Sequence, residues 1–433
     1  MNTMISSPST GLRGTFRVPG DKSISHRSVM LGSLAEGVTE VSGFLEAEDA
    51  LATLKTFQNM GVNIEQLGEG RLRVHGVGLH GLKKPINDLY VGNSGTSMRL
   101  LSGILAGQSF DSVLQGDSSL NKRPMRRVLD PLSLMGAEVE STEAGTSPLN
   151  IKGHQALKGI RYHMPMGSAQ VKSCLLLAGL YAEGTTTVVE PAVTRDHTEQ
   201  MLRGFGYEVV TEGNVASLKG GGSLKATSID VPADISSAAF FLVAASITPN
   251  SDITLQHVGI NPTRTGVIDI LLKMGADIQL LNKRVVGGES VADIRVKSCQ
   301  LQGINVPEEL VALAIDEFPV LFVAAAYANG ATVVTGAEEL RVKESDRIQT
   351  MAEGLQSLGV DAQATPDGMI INGGSVSAGE IESFDDHRIA MAFAVAGLRA
   401  EGSIKVNNCE NVSTSFPGFV ELSSSCGFDI QAL

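Results

Sequence analysis

The sequence predicts an α/β protein of two similar domains, each built from three βαβαββ-like units. Three observations carry this expectation. An apolar–Gly–apolar triplet recurs as Met60-Gly61-Val62, Met135-Gly136-Ala137, Phe205-Gly206-Tyr207, Met274-Gly275-Ala276, Leu358-Gly359-Val360 and Cys426-Gly427-Phe428. The glycine spacings are 75, 70, 69, 84 and 68 residues. Each glycine follows a stretch of helical period and precedes a strand-like run, the place of a helix-closing glycine. Finally, every triplet is preceded by an apolar, Ala-rich helical segment and a β-rich run.

In chain order the Ala-rich segments are His26–Ala35, Met98–Ala106, Val171–Ala182, Ser236–Ser246, Val320–Ala328 and His387–Arg399. The β-rich runs behind them are Thr39–Val41, Ser112–Leu114, Thr185–Val189, Ile253–Leu255, Thr332–Val334 and Ser403–Val406. Helices apolar nearly all round suit the inside of a domain, with sheets outside them. A second helix follows in each unit. Val267, Ile270, Leu271 and Met274 give its i, i+3, i+4, i+7 stripe, and Ile348, Met351, Leu355 and Leu358 repeat that spacing closely. A chain of 433 residues can form two domains, each large enough to bury a core. The halfway break falls near Val231-Pro232-Ala233-Asp234.

Composition excludes several classes. A net charge of -13 argues against a nucleic-acid or anionic-membrane partner. Four dispersed cysteines without Cys-x-x-Cys spacing read as reduced thiols, with no structural zinc. Met1 to Thr10 lacks the basic and apolar regions of a signal peptide. The longest apolar runs are about half a membrane span. The expected location is the cytoplasm.

The chemistry gathers at helix starts. Asp21-Lys22-Ser23-Ile24-Ser25-His26-Arg27 leads into the first buried helix, Gly92-Asn93-Ser94-Gly95-Thr96-Ser97 into the second and Gly167-Ser168-Ala169-Gln170 into the third; Asp385-Asp386-His387-Arg388 opens the sixth. Free N–H groups at helix N-termini suit phosphate or carboxylate, although Ser, Asn and Gly there serve equally as N-caps. Cations are the departure from that bland reading, because the helix dipole disfavours them there by a few tenths to ~1 kcal/mol. Lys22, Arg27 and Arg388 sit in such positions, as do the segments Arg341–Arg347, Lys122-Arg123-Pro124 and Thr194-Arg195-Asp196. Six such placements on an acidic protein point to an external anion, since each charge-assisted contact returns ~1.5–3 kcal/mol.

Asp316 and Glu344 are candidates for proton transfer. Asp316 precedes Phe318-Pro319 and could simply cap a helix. Glu344 stands between Lys343 and Arg347 and could be an i, i+3 ion pair within a helix. A carboxylate among cations stays ionised, which suits a base beside bound anions. Gly76-Val77-Gly78-Leu79-His80-Gly81 matches G-x-G-x-x-G, but Lys83-Lys84-Pro85 follows where a dinucleotide fold needs a helix.

Together these segments resemble the 5-enolpyruvylshikimate-3-phosphate synthase family of the shikimate pathway. The match runs in order through Asp21–Arg27, Gly92–Thr96, Arg123-Pro124-Met125, Ser168–Gln170, Asp316-Glu317, Leu340–Arg347 and Asp386-His387-Arg388. The resemblance implies two "inside-out" α/β domains, residues 21–232 and residues 1–20 plus 233–433, with the active site in the cleft between them. It implies transfer of the enolpyruvyl group of phosphoenolpyruvate to the 5-hydroxyl of shikimate 3-phosphate, releasing phosphate through a tetrahedral ketal. It implies no metal, no organic cofactor and no covalent enzyme intermediate; a monomer is expected. By matching motif, Ser23, Arg27, Ser168 and Gln170 would hold shikimate 3-phosphate, with Arg195 near its phosphate. Lys22, Gly95 and Arg123 would meet the phosphate of phosphoenolpyruvate, and Arg347 and Arg388 its carboxylate. Gln170 would touch both substrates. Asp316 would accept the 5-hydroxyl proton, Glu344 would shuttle the methyl proton, Lys343 would orient the hydroxyl, and Lys22 would stabilise developing charge. Ala169 and Thr414 depart from the serine and lysine that many members carry.

Two other readings stand beside this one. A UDP-N-acetylglucosamine enolpyruvyl transferase shares the chemistry, but typically shows Lys-Asn where Lys22-Ser23 stands and a cysteine in the loop that here runs from Gly116 to Lys122. A catalytically inactive anion-binding relic would be expected to have lost one of Lys22, Asp316 and Glu344.

Overall fold

The computed structural model describes residues 2–286 and 288–433, and in it all six triplet glycines lie in the left-handed region, with φ from 78° to 111°. Each closes its helix in the same way. The Gly61 N–H donates to the Gln58 carbonyl at 3.0 Å and the Val62 N–H to Phe57 at 3.1 Å; the pattern repeats down to Gly427 on Ser424 (3.2 Å) and Phe428 on Ser423 (3.1 Å). These bonds satisfy carbonyls that a helix end leaves open. An ordinary L-residue in this conformation costs roughly 1–2 kcal/mol, so the period is written in glycine.

Contacts divide the chain into two units: Met1–Pro19 with Pro232–Val285 and Glu289–Leu433, and Gly20–Val231 with Val286–Gly288. Each has its own apolar core and three sheets.

In the unit around Gly20–Val231, the sheets share one plan: an opening strand, a parallel second strand, then an antiparallel hairpin. Leu89–Tyr90 runs parallel to Ser112–Gln115, which pairs antiparallel with Leu149–Ile151. Arg161–His163 and Thr185–Val189 repeat this with Val215–Lys219. Parallel neighbours need a crossover, and the Ala-rich helix supplies it. The first repeat takes its opening strands from the far end of the unit, where Leu224–Lys225 and Ser228–Asp230 run parallel to Ala35–Ser42. The helices Lys22–Leu34, Gly95–Ala106 and Ala169–Gly179 lie inside. A Cβ on Gly103 would come within 2.2 Å of the Cys174 carbonyl, so glycine sets how closely the second and third helices pack.

The other unit takes both strands of the N-terminal segment. Thr3–Ser7 is held between Ile404–Asn407 and Asp429–Ala432, and Arg13–Phe16 runs parallel to Asp252–Gly259. Its interior helices are Ile235–Ile247, Phe318–Ala326 and His387–Ala396, which pack on one another. All thirteen residues of the first and all nine of the second are buried. No helix among the described residues is long and apolar enough to cross a membrane.

Candidate active site

Within each unit the starts of the three interior helices come together, and the candidate residues lie on those starts or on the loops beside them.

In the unit around Gly20–Val231, Asp21 caps the first helix by accepting the Ile24 N–H at 2.8 Å. Lys22 is its first residue, and the ammonium, 23% exposed, pairs with Asp49. One turn on, Arg27 is buried. Its Nε donates to Thr198 Oγ1 at 2.7 Å, Nη2 to Ser173 Oγ at 2.8 Å and Nη1 to the Ser23 carbonyl at 3.0 Å. Thr198 belongs to helix His197–Gly204, so the same helix start that carries Arg195 in its leading loop is tied to Arg27. Ser94 caps the second helix through the Ser97 N–H at 3.1 Å. Gly95 is the first residue of that helix, and Arg123 donates to Asn93 beside it. Ser168 caps the third helix, accepting from Val171 at 3.4 Å. Gln170 donates to Thr96 Oγ1 at 3.0 Å and accepts from Arg99. Lys22, Ser23, Arg27, Gly95, Arg123, Ser168 and Gln170 are thereby one neighbourhood. The cap reading of Ser94 and Ser168 holds alongside any ligand role.

In the other unit the candidates surround Arg347, which is 1% exposed. Arg347 Nε donates to Asp386 Oδ2 at 2.8 Å and Nη2 to Asp386 Oδ1 at 3.2 Å. Nη2 also reaches Glu344 Oε2 at 2.7 Å, and Nη1 lies 3.5 Å from Asp316 Oδ1. Burial opposes the charge on Arg347, but Asp386 first, then Glu344 and Asp316, outweigh it and raise its pKa. Burial also pushes the Asp386 carboxyl up, but the charge and hydrogen bonds of Arg347, with a smaller contribution from His387, together leave it below the usual carboxylate range. Lys343 Nζ is 3.4 Å from Asp316 Oδ1, and Arg388 Nη1 donates to the Asp316 carbonyl at 2.9 Å. The side chains of Asp316, Glu344, Lys343 and Arg388 keep 14–24% exposure.

Two local expectations change. Asp316 caps no helix: it sits in the short turn Ile315–Glu317, and Glu317 takes the position before Phe318. The segment Arg341–Asp346 precedes its helix, which starts at Arg347 with Asp346 as cap. Glu344 therefore pairs with Arg347 at i, i+3 from outside the helix, on a loop whose backbone is free to present the carboxylate. Thr414 is buried and donates to the Asn411 carbonyl at 2.6 Å, and Ala169 is the first residue of its helix.

The sequence reading missed Asp49, Arg99, Ser173 and Thr198. Arg99 was detectable as the one charge inside an otherwise apolar helix. Lys172 carries the same signal, and it is a buried ion with Glu190 and Glu199, each at 2.8 Å. Asp49 gives no such signal, because an acid in a helix first turn is ordinary. Among the described residues no group of three or more His, Cys, Asp or Glu side chains is placed to hold a metal ion.

Two clusters of cations, one of them carrying two partly exposed carboxylates, suit a reaction on multiply anionic substrates that needs proton transfer. Comparison with known proteins agrees. Residues 7–422 match the family described as EPSP synthase (3-phosphoshikimate 1-carboxyvinyltransferase). The chain is 66% identical over 424 residues to the 3-phosphoshikimate 1-carboxyvinyltransferase of Methylococcus capsulatus, covering 98% of this chain and 97% of that one. It is 62% identical to that of Nitrosococcus oceani, with 98% and 96% covered. A solved EPSP synthase from Acinetobacter baumannii superposes with a TM-score of 0.89 at 58% identity over 100% of both chains. A match this long, and this close in both sequence and structure, shows that the chain belongs to the EPSP synthase family.

Proposed function

We propose that this protein transfers the enolpyruvyl group of phosphoenolpyruvate to the 5-hydroxyl of shikimate 3-phosphate and releases phosphate. Relatives at 57–66% identity carry the name of this activity. The observation that carries the reading is the Asp316–Lys343–Glu344–Arg347–Arg388 cluster, where two carboxylates stay partly exposed beside three cations.

In this reading the candidate cations and helix starts hold the two anionic substrates. Lys22, Gly95 and Arg123 hold the phosphate of phosphoenolpyruvate, Arg347 and Arg388 its carboxylate, and Gln170 bridges the two substrates. Ser23, Arg27, Ser168 and Arg195 hold shikimate 3-phosphate. Asp316 takes the proton of the 5-hydroxyl as that oxygen attacks C2, with Lys343 orienting the hydroxyl. Glu344 delivers a proton to C3, giving the tetrahedral ketal, and takes one back as the C–O bond to phosphate breaks. Lys22 offsets the charge that develops on the phosphate oxygen. The exposure of Asp316 and Glu344 lets each reach a ligand atom. We also read the protein as a cytoplasmic monomer; its four cysteines are free thiols.

Phosphate release from the purified protein, with phosphoenolpyruvate plus either shikimate 3-phosphate or UDP-N-acetylglucosamine, tests the reading. Release with shikimate 3-phosphate alone is expected. Release with the nucleotide sugar alone overturns it, and binding without release in either case favours a relic.

Gly95 makes a second test. A methyl there would lie 3.1 Å from Arg99 Nη1 and 3.3 Å from Arg123 Nη1. Both are ends of flexible side chains, so the fold should tolerate Gly95→Ala. The displaced guanidinium should weaken phosphoenolpyruvate, raising its KM roughly tenfold. An unchanged KM would remove Gly95 and Arg123 from that phosphate.

A further inference from the structure

We infer that Thr53, which carries no charge and is fully buried, is a positioning residue that sets the spacing between the Lys22 ammonium and the Gly95 helix start. The inference rests on the reading above, in which those two groups meet the phosphate of phosphoenolpyruvate.

Lys22 and His26 lie one turn apart on helix Lys22–Leu34, and Asp49 and Thr53 one turn apart on helix Glu48–Asn59. The two helices are joined by matching rungs. Lys22 pairs with Asp49, and His26 Nδ1 lies 2.8 Å from Thr53 Oγ1. Thr53 then makes a third link: its Oγ1 is 2.5 Å from Ser97 Oγ on helix Gly95–Ala106. Ser97 returns to the cap, its hydroxyl donating to Ser94 Oγ at 2.8 Å and its N–H at 3.1 Å.

One assignment of the protons, among those the distances allow, runs through the whole chain of bonds. Ser97 donates to Ser94, Thr53 donates to Ser97, and the His26 Nδ1–H donates to Thr53. That leaves His26 Nε2 as the unprotonated nitrogen, and it is one of the buried side-chain atoms without a hydrogen-bond partner. The ring is neutral, since burial first and then Lys22 and Arg27 push its pKa well below the usual value. His26, Thr53 and Ser97 are 0% exposed and Ser94 1%, so water does not compete for these bonds. Apolar packing alone is non-directional; this chain of directional bonds fixes the second helix start against the lysine. Arg27 turns instead to Thr198, Ser173 and the Ser23 carbonyl, so the shikimate-phosphate side should respond less than the phosphoenolpyruvate side.

Thr53→Val keeps the shape and removes the hydroxyl. The expected result is a KM for phosphoenolpyruvate raised about tenfold, with the dissociation constant of shikimate 3-phosphate within about twofold of the parent. Thr53→Ser should restore most of the loss. Ser97→Ala, which leaves the His26–Thr53 rung intact, should shift the same KM in the same direction by less. An unmoved KM in a folded Thr53→Val, a parallel loss of shikimate 3-phosphate affinity, or failure of Thr53→Ser to rescue would each overturn the inference. Should Thr53→Val not fold, an unchanged KM in Ser97→Ala overturns it. Absence of phosphate release by the parent enzyme would instead overturn the reading of function.

Discussion

Glu344→Gln is expected to lower turnover by roughly 10²–10⁴-fold, the usual contribution of a positioned general acid or base, while shikimate 3-phosphate still binds. The substitution is nearly isosteric, and the amide oxygen can still accept the Arg347 N–H that now lies 2.7 Å from Glu344 Oε2. The loop should therefore keep its course. Basicity is lost, so C3 of phosphoenolpyruvate can neither be protonated nor deprotonated from this position. Arg347 retains Asp386 as its buried counter-charge, so stability should change little. Calorimetric binding of shikimate 3-phosphate beside single-turnover phosphate release is the measurement. Turnover within threefold of the parent would remove Glu344 from the mechanism, and loss of binding would mean that the side chain holds the substrate rather than moving a proton.

Asp386→Ala is expected to have the largest effect on stability. It strips a fully buried guanidinium of bonds at 2.8 and 3.2 Å. Breaking a buried ion pair from one side costs ~3–5 kcal/mol, because the remaining charge is left in a poor solvent. The cap on Arg388 N–H at 2.9 Å is lost as well, worth about 1 kcal/mol. Urea unfolding, followed with a probe in this unit, should show the combined loss. The double variant Asp386→Leu with Arg347→Met removes both charges and should recover most of the stability with no activity, since an apolar pair of similar volume is often neutral. A single variant that loses less than about 1 kcal/mol would mean that water or Glu344 already solvates the guanidinium.

The elements that the sequence revealed best are those governed by a few neighbouring residues. Gly61 and its five counterparts take the left-handed conformation because the preceding helix needs it for closure, a requirement that spans six residues. The interior helices were legible because Ile235–Ile247 and Phe318–Ala326 have no polar face to turn outward. The motif residues were legible too, as cations set against helix dipoles. What those residues touch was not. Asp316 looked like a cap and is a turn residue beside Lys343; Glu344 looked helical and lies on a loop.

Local backbone preference and hydrophobic period, then, were determined by the sequence itself: six repeats, their helix ends and the cationic helix starts. Tertiary structure alone decided the partners. Lys22 meets Asp49, Arg27 meets Thr198 across 171 residues, and Arg347 meets Asp386 across 39. The opening strands of the first repeat come from Leu224–Asp230. A buried charge is stable only where packing brings an opposite charge or a hydroxyl within about 3 Å, and which faces pack is a property of the assembled core rather than of any short segment.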